Sequence, residues 1–103
     1  MASEESGGPA DREVRGYRIR GRVQGVGFRW WTEGTATSLD VSGSVWNCRD
    51  GSVEVCAAGT ATALDALEHA LGEGPLGSRV DSVTRIEPDH TPSPGPFRIE
   101  HRS

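Results

Sequence analysis

The chain has 103 residues with a formal net charge of −4, from 15 acidic groups and 11 basic ones that are all arginine. That length fits one small domain with a modest core. The absence of lysine excludes a Schiff-base lysine and a Walker-type phosphate loop, which needs Gly-Lys-Ser/Thr. No window resembles a signal peptide or a membrane span, so a cytoplasmic protein without a membrane partner is expected.

Residues 1–13 are rich in Gly, Ser and Glu and nearly free of large apolar groups. They read as a disordered tail, with the folded domain over 14–103. Glu4, Glu5, Asp11 and Glu13 against Arg12 make a net of −3, which leaves the body near −1. The acidic balance is therefore mostly a property of the tail and says little about partners.

Residues 14–23 alternate, with Tyr17, Ile19, Gly21 and Val23 on one face and Arg18, Arg20 and Arg22 on the other, the period of a half-buried strand. A glycine loop follows at 24–28. A helix is expected over about 28–39, with Phe28, Trp31 (or Trp30), Thr35 and Leu39 as its inner positions. Strands are expected over 41–47 and 52–58. If Arg49-Asp50-Gly51 is the loop between them, Val45 faces Val55, Asn47 faces Val53, and Gly51 takes a left-handed conformation. Cys48 then lies opposite Ser52 and Cys56 opposite Ser44. That separates the sulfurs by about 13 Å, too far for a disulfide, and the pair has no metal-ligand spacing.

Residues 60–71 form the clearest helix, capped by Thr60 or Thr62, with Ala63, Leu64, Leu67, Ala70 and Leu71 as its stripe. Gly72, Gly74, Pro75 and Gly77 end it. A strand over 79–87, a Pro-rich loop over 88–96 and a short strand over 97–101 complete the chain. The order βαββαβ plus a terminal strand implies an α+β, ferredoxin-like split βαβ plan, with two helices on one face of a mostly antiparallel sheet.

The segment Ile19-Arg-Gly-Arg-Val-Gln-Gly-Val-Gly-Phe-Arg29 joins three anion-binding devices. Glycines let backbone N–H groups turn inward, the helix start supplies further free N–H groups and partial positive charge, and Arg29 adds a planar fork of donors. It reads as a phosphate cradle made by Gln24, Gly25, Val26, Gly27, Phe28 and Arg29. In a split βαβ unit the first two strands are parallel, so Asn47, ending the second, lies at the same sheet edge as the loop ending the first. An Arg29–Glu33 ion pair at i, i+4 is the plain alternative for Arg29, and turn chemistry that for Asn47. Arg18, Arg20 and Arg22 read as a solvated face, Trp30 and Trp31 as packing, and His69, His90 and His101 as surface residues.

Residues 19–29 resemble the first signature of the acylphosphatase family, and Gly43-Ser-Val-Trp-Asn47-Cys-Arg-Asp-Gly-Ser-Val53, ending at Gly59, resembles the second. The likeness covers about residues 14–101, including Phe97-Arg-Ile-Glu100. It departs at Ser44, where the family usually has an aromatic, and at Trp46, where it has a basic or polar residue. The resemblance implies hydrolysis of an acyl phosphate to carboxylate and phosphate, with Arg29 and the N–H groups of Gln24 to Phe28 binding phosphoryl oxygens and Asn47 holding a water in line. It implies no metal or other cofactor. The expected partners are a small-molecule acyl phosphate, and phosphate or other anions at the same site, on a monomer. A nucleic-acid-binding module of the same strand order would need aromatics on its first and third strands. Only Tyr17 is there, so no nucleic-acid partner is expected. A non-catalytic anion-binding module is the other alternative, against which the retention of both Arg29 and Asn47 speaks.

Overall fold

The computed structural model describes residues 12–102. Its elements run β1 (Arg12–Arg22), α1 (Phe28–Ser38), β2 (Ser42–Asn47), β3 (Val53–Thr60), α2 (Ala61–Glu73), β4 (Arg79–Ile86) and β5 (Arg98–Ile99). Arg12 and Glu13 already belong to β1, two residues ahead of the expected domain start. The rest of the expected tail, residues 1–11, lies outside the described residues.

The sheet has the spatial order β4-β1-β3-β2-β5. β3 is antiparallel to both β1 and β2, which makes β1 and β2 parallel, as the split βαβ plan requires. β5 adds a parallel edge beside β2. The hairpin register is the expected one: Val45 pairs with Val55, Asn47 with Val53 and Ser44 with Cys56. Cys48 N donates to Ser52 O at 2.9 Å, and Gly51 sits at φ 93° in the left-handed region. Both cysteines are free thiols.

Strand alternation puts Tyr17, Ile19, Val45, Val53 and Val55 on one sheet face, and all five are buried in the core. The helices cover this face. α2 contributes Leu64, Leu67 and Leu71, the stripe expected from its spacing. Thr60 caps the helix by accepting from Ala63 N at 3.1 Å, one of the two caps the sequence allowed. α1 buries Phe28, Thr32 and Ala36, a correction to the expected Thr35 and Leu39, which are only half-buried. Positions 28, 32 and 36 advance by four residues, so they keep one line along the helix where the small Thr and Ala fit against the sheet.

The opposite sheet face is polar but tied down. Arg18 pairs with Glu54 at 2.8 Å and Arg20 with Asp50 at 3.3 Å. The long connection before β5 leans on this face, where Cys56 Sγ donates to His90 O at 3.0 Å.

Leu67 is fully buried between α2 and the sheet. Truncating such a side chain costs about 2–5 kcal/mol through lost burial and the cavity left behind. Leu67→Ala is therefore expected to lower the midpoint of a urea unfolding curve by that equivalent, at unchanged slope.

Candidate active site

The glycine loop leaves the end of β1 and enters α1. Gly25 and Gly27 have φ of 79° and 74°, and a Cβ at either would meet nothing within 4 Å. The loop therefore turns its backbone through left-handed conformations beside open space, the shape in which successive N–H groups converge on an anion. Gly27 is also the N-cap of α1 and offers no capping side chain. The first-turn amides are left available at the positive end of the helix dipole.

The loop is fixed to the neighbouring turn by one side chain. Gln24 Nε2 donates to Cys48 O at 2.8 Å and to Ser52 O at 2.9 Å. That turn is itself locked, because Asp50 Oδ1 accepts from Ser52 Oγ at 2.6 Å and from Ser52 N at 3.0 Å. The Ser52 hydroxyl, then the Ser52 amide and Arg20, hold the Asp50 carboxyl below the usual carboxylate range. Beside Asn47, burial pushes the Cys48 thiol up, which keeps it protonated at neutral pH.

Arg29 and Asn47 line one cavity of about 260 Å³ together with Gly25 and Gly27. Val23, Phe28, Trp30, Ile99 and His101 complete its walls. The separation of 18 residues between Arg29 and Asn47 is thus closed by topology, as the parallel strands require. Of the other expected loop residues, Gln24 and Val26 do not line this cavity, and the side chains of Val26 and Phe28 pack on or within the core, so only their backbone could meet an anion. Arg29 forms no ion pair with Glu33 among the described residues. Its Nη1 instead reaches His101 Nδ1 at 3.4 Å, and because a guanidinium can only donate, the ring nitrogen is the acceptor.

His101 is exposed, as expected of a surface residue, and it also lines the cavity. It comes to the site because β5 lies beside β2, with Glu100 N donating to Val45 O at 2.9 Å. The next residue anchors this end of the chain. Arg102 stacks its guanidinium 3.6 Å from the centre of the Trp46 ring, and pairs with Glu100 at 2.7 Å and Asp89 at 3.1 Å. Trp46, one of the two departures from the family pattern, is thereby 4% exposed and holds the segment that carries His101. Ser44, the other departure, is buried on the same face. No feature of residues 88–102 in sequence announces this contact; it needs the parallel pairing of a two-residue strand.

Three other arginines of β1 are occupied elsewhere. Arg15 pairs with Asp65 at 2.8 Å and Glu13 at 3.1 Å, and Arg18 and Arg20 have the partners given above. Arg29 is the arginine that lines the cavity, beside backbone donors and a neutral amide. Such an arrangement can hold a phosphoryl group and direct a water at it, without needing a strong acid.

The acylphosphatase family model matches residues 15–99. Over 91 residues the chain is 52% identical to an acylphosphatase of Nitratidesulfovibrio vulgaris, covering 86% of this chain and 91% of that protein. The fold is similar to the solved acylphosphatase of Coxiella burnetii, at a TM-score of 0.83 and 28% identity over 92% of this chain and 99% of the other. It is also similar to the crystal structure of acylphosphatase from Bacillus subtilis, at a TM-score of 0.78 and 32% identity over 84% and 97% of the two chains.

Removing the Gln24 amide takes one of two donors from each carbonyl, since Ser52 O keeps Cys48 N and Cys48 O keeps Gly51 N, and it frees the loop from the turn. Gln24→Ala is expected to cost roughly 1–3 kcal/mol of stability, the net worth of two hydrogen bonds at about 0.5–1.5 kcal/mol each. Urea unfolding measures that loss, and a higher inhibition constant for inorganic phosphate would report the loosened cradle.

Proposed function

We propose how this chain, which belongs to the acylphosphatase family and is an acylphosphatase, holds and hydrolyses an acyl phosphate. Arg29 binds two phosphoryl oxygens through its guanidinium fork. The backbone N–H groups of Gln24, Gly25, Val26, Gly27 and Phe28 take the remaining phosphoryl charge, with the α1 dipole behind them. Asn47 is not a base; its side-chain amide orients a water in line with the bond between phosphorus and the acyl oxygen. The single observation that carries this reading is that Arg29, the glycines of the loop and Asn47 line one cavity.

The chemistry suits so few groups. The water oxygen bonds to phosphorus as the bond from phosphorus to the carboxyl oxygen breaks, and the pair of electrons leaves on the carboxylate. A carboxylate is stable at neutral pH, so the leaving group needs no general acid. The water proton passes to a phosphoryl oxygen of the substrate. What the protein contributes is alignment and fixed positive potential around spread negative charge, the terms that dominate phosphoryl transfer. Three of the neighbouring arginines are neutralised by their carboxylate partners, whereas Arg29 lines the cavity.

Asn47→Ala is expected to lower kcat for acetyl phosphate by about 10²–10³-fold, the usual effect of losing one transition-state contact, while inorganic phosphate still inhibits. Arg29→Ala is expected to abolish both turnover and phosphate inhibition. Wild-type turnover in the Asn47 variant would sink the water-orienting role. Among the described residues no three His, Cys, Asp or Glu side chains gather into a metal-binding group, and undiminished hydrolysis after dialysis against EDTA is the expected result.

A further inference from the structure

The two adjacent tryptophans of α1 do different work. Trp31 turns inward, its ring 5.4 Å from that of Phe28. Trp30 is 76% exposed, and the other large exposed apolar side chain, Leu76, lies in the loop beyond α2. The fold gains little from an indole in water, yet this one lines the cavity that holds Arg29 and Asn47. Half-buried Ile99 of β5 lines it as well. The cavity therefore joins a charged, donor-rich set to an apolar set. Its volume of about 260 Å³ exceeds what a phosphoryl group alone needs and approaches the roughly 300 Å³ at which small-molecule sites begin.

We propose that Trp30, backed by Ile99, is the wall on which the acyl group lies, and that it selects aromatic acyl phosphates over small, hydrophilic ones. The proposal rests on the reading of Arg29 and the loop as the holder of the phosphoryl group. With that end fixed at Arg29, the acyl carbon is only one bridging oxygen away, within reach of the side chain on the next residue of the helix. A flat ring can stack on the indole or meet it edge to face, and covering the exposed ring removes apolar surface from water. An anionic acyl group gains nothing there, because the face of an aromatic ring carries negative potential.

The test is the ratio of kcat/KM for benzoyl phosphate to that for acetyl phosphate. Trp30→Ala is expected to lower this ratio by roughly two- to tenfold, the equivalent of one aromatic pair, with the change mainly in KM. Trp30→Phe is expected to restore most of it. An unchanged ratio in Trp30→Ala, whether both substrates are unaffected or both fall together, would overturn the role of the indole while leaving acyl phosphate hydrolysis standing. A wild-type protein that turned over neither substrate would overturn the underlying reading as well.

Discussion

Everything at the site depends on where β3 is pinned between β1 and β2. Val53 pairs with Ile19 on one side and Asn47 on the other. Strands lie about 4.8 Å apart, so this double pairing sets Asn47 level with Ile19 at a separation of about two strand spacings. The glycine loop begins a few residues further along β1, over the same sheet edge. A slip of one residue in either ladder would turn the Asn47 side chain to the other sheet face, away from α1 and its N-terminus. The hydrogen bonds of Gln24 to the β2–β3 turn then fix the final distance between loop and turn. The relative placement of loop and turn is thus set first by backbone ladders and trimmed by a single amide.

The electrostatic pattern follows from the same sheet. Arg18 and Arg20 share one face of β1 and Arg15 lies on the other, and each meets carboxylates from elements distant in sequence: Glu54 of β3 for Arg18, Asp50 of the turn for Arg20, Asp65 and Glu68 of α2 for Arg15. Exposed pairs of this kind add little stability. They offset the positive charge of these three strand arginines. Arg29, beyond the strand and at the start of a helix, escapes this pairing and meets a histidine, which accepts from it.

Much of this was legible in the sequence, for identifiable reasons. The hairpin register could be read because only one loop choice keeps Val45, Val53 and Val55 on one face. The stripe of α2 could be read because five apolar residues recur at helical spacing. The joint placement of Arg29 and Asn47 followed from parallel strands in a split βαβ unit. The inner face of α1 was harder: large Trp31 and Leu39 suggested the buried line, whereas the tight contact with the sheet takes the smaller Thr32 and Ala36. Contacts made by the last residues were not legible at all. They depend on a two-residue strand, and on a guanidinium stacked on Trp46, a residue 56 positions earlier in the chain. The partners of Arg15 and Arg18 were hidden for the same reason, since they lie on other elements.

The stacking of Arg102 on Trp46 also makes the two ends of the described chain unequal. β1 starts at Arg12, opposite Thr60 at the far end of the sheet, and its ten steps to Arg22 span roughly 33 Å. A fluorophore or surface tether joined near Arg12 therefore hangs well clear of the cavity lined by Arg29 and Asn47. One joined next to Arg102 pulls on the residue that holds His101 beside Arg29, and any load on it is felt at that contact. For immobilisation or labelling, this protein has a quiet end and a sensitive one.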